Sequence, residues 1–78
     1  MSTDVQKDGL HRIVCQNIKK YRKRAGLTQE ELSEKIDMSY DYLRRLESER
    51  GQKDFSFFTL YKISLALNVP MDTFVIEQ

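Results

Sequence analysis

What this chain lacks narrows its function before any motif is read. Among its 78 residues there is one cysteine, Cys15, so no disulfide can close within the chain. No Cys/His cluster has metal-ligand spacing, and neither a metal nor a cofactor is expected. One proline and three glycines, with few β-branched runs, argue for helices rather than a turn-rich β architecture. No apolar run approaches the roughly 20 residues of a membrane span. The opening stretch "MSTDVQKDG" is polar rather than signal-like, so a cytoplasmic protein is expected. His11 is the only histidine and has no nucleophile near it in sequence. It should be exposed and idle, and hydrolytic catalysis is not expected. Net charge is only +1, so bulk charge makes no case for a polyanion.

What remains is a chain of single-domain size, 40% hydrophobic and 32% charged. A chain this short buries about 60% of the surface that its unfolded form exposes, enough for one small core. Charge is unevenly placed. Residues 11–24 carry six basic side chains and no acid, whereas residues 25–50 carry four basic side chains and seven acids. Any footprint on a polyanion is therefore local. The run "KKYRKR" reads mainly as a solvated face.

Hydrophobic spacing gives five helical segments. The first, about Asp8–Arg24, has Leu10, Val14, Ile18, Tyr21 and Ala25 on one stripe, with Ile13 beside it, and Gly26 ends it. Cys15 sits next to this stripe as a semi-buried structural thiol. The second, about Thr28–Ile36, opens on "TQEE", a capping box of Thr28 and Glu31, and buries Leu32 and Ile36. The third, about Ser39–Ser48, is capped by Ser39 and turns Leu43 and Leu46 inward, joined by Met38. Only "DM" separates the second and third, which forces a steep crossing. The fourth, about Phe57–Leu67, is capped by Ser56 and has Phe57, Leu60, Ile63 and Leu67 as its stripe, with Asn68 as a left-handed end. A short fifth helix, about Met71–Val75, follows Pro70.

"GLTQEELSEKIDMSYDYLRRLESERG" thus places a capped helix, a minimal turn and a second capped helix in 26 residues, and "ALNVP" closes the pattern. This resembles the lambda-repressor-like, or Cro/C1-type (XRE), helix-turn-helix family, over about Leu10 to Phe74. Two positions depart from the family's habit. Asp37 stands where glycine is usual in the turn, and Ser33 where alanine is favoured. Aspartate tolerates a left-handed backbone better than most residues, and serine is small enough for close packing. The resemblance implies an all-α, compact five-helix domain over residues 10–76, after a flexible tail over residues 1–9.

The resemblance also implies sequence-specific binding of double-stranded DNA, with the third helix in the major groove. By position, Tyr40, Asp41, Arg44 and Arg45 face the bases. Arg44 or Arg45 would grip a guanine. Asp41 either accepts from a cytosine amine or pairs with an arginine one turn on. Gln29 would hold a backbone phosphate, and Thr28, Ser39, Tyr42, Arg50 and Lys53 are further phosphate candidates. Arg22 and Glu47 would form a structural pair that docks the third helix onto the first; the alternative is a local Arg44–Glu47 pair.

One such module reads few base pairs, and family members commonly dimerise on a palindromic operator. The ending "VPMDTFVIEQ" places Met71, Phe74, Val75 and Ile76 together. Part of that set must close the core, and the rest, with Phe58 and Tyr61, would form a homodimer interface. The expected function is a dimeric transcriptional repressor. A restriction–modification controller is an alternative, as is an antitoxin-like interaction module. An activator would need a surface for RNA polymerase, for which the acidic run Glu30, Glu31 and Glu34 is a candidate, although such glutamates are usually just solvated.

Overall fold

The computed structural model describes residues 7–48 and 56–78. Four α-helices run in order: α1 (Lys7–Arg24), α2 (Gln29–Lys35), α3 (Tyr40–Glu47) and α4 (Phe57–Leu67). The segment Met71–Val75 is a 3₁₀ helix, not a fifth α-helix. Pieces this short commonly take i→i+3 bonds, here Thr73 N to Pro70 O and Ile76 N to Thr73 O. Residues 1–6 of the expected tail lie outside the described residues, and α1 is already helical at Lys7.

Three helices end in the same way. At Gly26, Asp37 and Asn68 the backbone turns left-handed, with φ of 76°, 56° and 57°. After each comes an apolar residue whose amide reaches back five residues. Leu27 donates to Arg22 O (3.1 Å), Met38 to Ser33 O (2.9 Å) and Val69 to Ser64 O (3.0 Å). The left-handed residues themselves donate to Lys23, Glu34 and Leu65. These are Schellman turns, in which the last carbonyls find donors and the following apolar side chain folds back onto the core. Leu27, Met38 and Val69 all pack there. Gly26 is fixed by its backbone angle rather than by crowding, since a Cβ at that position would meet nothing within 4 Å.

The starts are equally explicit. Thr28 Oγ1 accepts from Glu31 N while Glu31 Oε1 accepts from Thr28 N, completing the capping box. Ser39 Oγ accepts from Tyr42 N, and Ser56 Oγ from Thr59 N.

The core gathers Val14, Ile18, Leu32, Ile36, Leu43, Leu46, Ile63, Leu67 and Phe74. Helix α1 packs against α3, α4 and the 3₁₀ helix, while α2 packs against α3 and α4. Several expected core positions are not core. Leu10 and Ala25 are exposed, because α1 is covered only along its middle turns. Phe57 is 79% exposed. At about 100° per residue it falls with Phe58, Tyr61 and Leu65 on the outer arc of α4, away from Ile63 and Leu67. All four of these side chains are exposed.

Candidate nucleic-acid interface

Helix α3 divides cleanly into two faces. Leu43, Leu46 and Glu47 are buried, and Tyr40, Asp41, Arg44 and Arg45 are exposed. At about 100° per residue those four occupy one arc of about 140°. Tyr42 lies on the other side. Its ring packs against the core, and its hydroxyl is 3.4 Å from Thr59 Oγ1 at the start of α4. Tyr42, a phosphate candidate by its position in the sequence, is turned toward α4, because its angular position falls next to Leu46 rather than Asp41.

The buried Glu47 is held from two elements. Arg22 Nε on α1 donates to Glu47 Oε2 at 2.7 Å, and Arg22 Nη2 to Oε1 at 3.1 Å, a two-point fork. Arg22 Nη1 also donates to Leu27 O in the turn after α1 (2.8 Å). Gln29 Nε2, at the first position of α2, donates to Glu47 Oε1 at 2.9 Å. One carboxylate, 1% exposed, therefore ties α1, α2 and α3 together. The local Arg44–Glu47 pair does not form: Arg44 Nη2 instead donates to Asp41 Oδ1 at 2.7 Å, and Arg45 Nε lies 3.0 Å from Asp41 Oδ2. The hydrogen bond from Arg44, with the charges of both arginines, holds the Asp41 carboxyl below its usual range.

An open cleft of about 490 Å³ lies where α1, the start of α2 and the start of α3 meet. Arg22, Thr28, Gln29, Glu30 and Tyr40 line it. Thr28 and Ser39 use their side-chain oxygens as helix caps. Arg50 and Lys53 lie outside the described residues.

With this geometry the comparisons agree. Residues 18–74 match the family model described as helix-turn-helix. The uncharacterized HTH-type transcriptional regulator y4dJ of Sinorhizobium fredii (strain NBRC 101917 / NGR234) is 37% identical over 60 residues, 77% of this chain and 75% of that protein. The chain belongs to the Cro/C1-type (XRE) helix-turn-helix family. Among solved structures, the master regulator for biofilm formation SinR, in complex with DNA, superposes with a TM-score of 0.74 at 35% identity, covering 81% of this chain and 98% of that one. The hypothetical transcription factor NHTF from Neisseria shares the fold, with a TM-score of 0.82 at 19% identity over 99% of this chain and 85% of that one.

In this Cro/C1-type domain α2 and α3 form the helix-turn-helix and α1 is its brace. The brace carries two residues whose roles spacing alone did not reveal. Asn17, 4% exposed, donates through Nδ2 to the carbonyls of Phe74 (2.8 Å), Ile76 (2.9 Å) and Thr73 (3.3 Å), fastening the end of the 3₁₀ helix to α1. Its signal in the sequence was a polar side chain three residues after Val14, on the buried stripe. Cys15 is fully buried rather than half-buried, because α3 packs over it, and its thiol donates to Leu46 O (2.8 Å) at the end of that helix. His11 Nε2 lies 3.3 Å from the same sulfur, so His11 is not idle.

The basic run of α1 meets the end of the chain. Lys20 Nζ and the Tyr21 hydroxyl both reach Gln78 Oε1, at 2.6 and 3.0 Å. Arg24 stacks over the Tyr21 ring at 5.3 Å. Ser33, in the alanine-favouring position, is buried, and its hydroxyl bonds back to Glu30 O at 2.7 Å. Among the described residues no His/Cys/Asp/Glu group could hold a metal ion, and no helix is long and apolar enough to cross a membrane.

Proposed function

We propose that this protein is a sequence-specific, double-stranded-DNA-binding transcriptional regulator that acts as a dimeric repressor. The observation that carries this reading is the division of α3. Its inner face is locked by the Arg22–Glu47 fork, while Tyr40, Asp41, Arg44 and Arg45 project together from its outer face. A helix that reads base edges needs both rigid support and long donor side chains. Arg44 and Arg45 supply the donors, and Tyr40 supplies a ring for a thymine methyl or a hydroxyl for a phosphate. Thr28, Gln29 and Ser39 sit beside this face at the helix starts and would hold the DNA backbone, as would Arg50 and Lys53.

A single recognition helix falls short of the roughly 4–10 kcal/mol that separates specific from non-specific binding. Two copies reading half-sites about 34 Å apart supply it. The surface assigned to this contact comprises Phe58 and Tyr61 on α4 and, after it, Val75 and Ile76, all exposed, with Met71, half-buried. Phe74 drops out of the expected interface. It is fully buried in its own chain, edge-on to Tyr21 with ring centroids 6.1 Å apart.

The test is gel retardation with the DNA upstream of the protein's own gene, over a range of salt. A specific complex whose affinity falls steeply with salt is expected. Equal binding to every duplex, unaffected by replacing Arg44 and Arg45, would refute the reading.

A further inference from the structure

The outer arc of α3 carries two arginines, and they are not equivalent. Asp41 lies between them and contacts each through a different atom. Arg44 is engaged at Nη2, one of its two terminal nitrogens, by a 2.7 Å hydrogen bond. Arg45 is engaged at Nε, on the stem side of its guanidinium, at 3.0 Å. Among the described residues nothing occupies the Nη1 and Nη2 groups of Arg45, and its side chain is 58% exposed. Guanine offers two acceptors, O6 and N7, which an arginine grips best with two parallel N–H groups. Arg45 has that terminal pair unengaged while its stem is held. Arg44 already spends one of its terminal N–H groups on Asp41, and that bond restrains how its fork can turn toward a base.

We propose that Arg45 is the guanine-reading side chain of α3, that Asp41 is the positioning residue that aims it, and that Arg44 serves the DNA backbone. The proposal rests on the DNA-reading function given above and specifies how that site discriminates. Two further observations support it. Glu47, the other carboxylate on α3, is fully occupied by Arg22 and Gln29, so Asp41 is the one carboxylate of this helix that meets either arginine. Both Asp41 oxygens already face arginine, so a cytosine amine would have to share the carboxylate with two cations. A fixed negative charge between the two arginines also weakens their attraction to phosphates of any sequence. Asp41 therefore lowers non-specific affinity while it orients the specific contact.

The experiment starts from a randomised duplex library, from which the wild-type protein selects its preferred site. Affinities are then measured for the selected duplex, for versions with each G·C pair changed to A·T, and for a random duplex. In the wild type, changing one guanine in a single half-site should cost roughly 5- to 150-fold in affinity. Arg45→Ala should bring that ratio close to one. Arg44→Ala should keep the ratio, weaken all duplexes alike and make the dimer's salt slope shallower by about 2, one contact from each copy. Asp41→Asn should lower the ratio and strengthen binding to the random duplex, with an unchanged circular dichroism spectrum. A purely structural role for Asp41 would not move base preference in this way. Loss of the guanine preference in Arg44→Ala but not in Arg45→Ala would overturn the assignment, as would an intact ratio in Asp41→Asn. A wild-type protein that enriches no sequence would overturn the DNA-reading function itself, and this assignment with it.

Discussion

Arg22 on α1 and Glu47 at the end of α3 are 25 residues apart in sequence and 2.7 Å apart in space, both buried. Their fork fixes where the exposed face of α3 points. Removing one partner leaves the other charge buried and unpaired, which typically costs about 3–5 kcal/mol. Glu47→Ala should therefore lose most of the stability of so small a domain, as read by urea denaturation. The double change Arg22→Met with Glu47→Leu should be less damaging than either single change, because no lone charge remains. A Glu47→Ala protein within about 0.5 kcal/mol of wild type would remove the fork from the account.

The left-handed turn residues make a graded prediction. Asp37→Gly and Asn68→Gly should each leave stability unchanged or raise it by up to about 1 kcal/mol, since glycine meets no steric cost at positive φ. Gly26→Ala should lose about 1 kcal/mol despite the empty space around it, because the strain lies in the backbone. Thermal melts of the three variants test this ordering.

Asn17 is expected to matter well beyond its size. Asn17→Ala leaves the carbonyls of Thr73, Phe74 and Ile76 without their shared donor, a loss of about 1–3 kcal/mol. Hydrogen exchange should quicken most at the amides of residues 73–76. A uniform change across the domain would argue against a local fastening role.

Buried and exposed apolar residues near the end of the chain and on α4 should respond oppositely. Phe74→Ala should cost about 3–5 kcal/mol as a core deletion. Phe58→Glu and Ile76→Glu, at exposed positions, should leave the fold intact and shift a dimer to monomer in sedimentation equilibrium. Unfolding of the glutamate variants, or an unchanged mass, would displace the proposed interface.

Two exposed carboxyls should titrate low. Glu31 is lowered by its hydrogen bond with the Thr28 backbone and then by the Thr28 side chain, and Asp41 by Arg44. A depressed folded-state value means that each contributes stability above its ordinary range and loses it as pH falls through the lowered value. Carboxyl NMR titration should find both below ordinary carboxylates, and Arg44→Ala should raise Asp41 while leaving Glu31 in place.

Local chemistry in the sequence already determined much of this protein. The caps at Thr28, Ser39 and Ser56, the stop at Gly26 and the stripe of Val14 and Ile18 depend on neighbours within a few residues, so the order of elements could be read directly. The arc of Tyr40, Asp41, Arg44 and Arg45 follows from helical spacing alone. What only the tertiary structure decided involves partners distant in sequence. Asn17 and Cys15 are a polar residue and a thiol on α1 until the carbonyls of Thr73, Phe74 and Ile76 and of Leu46 arrive beside them. Phe57 and Phe74 are alike in hydrophobicity, yet one is bare and the other fully buried. Burial depends on which elements pack over a residue, and that is set by the docking of whole helices rather than by the residue's own neighbours in the chain.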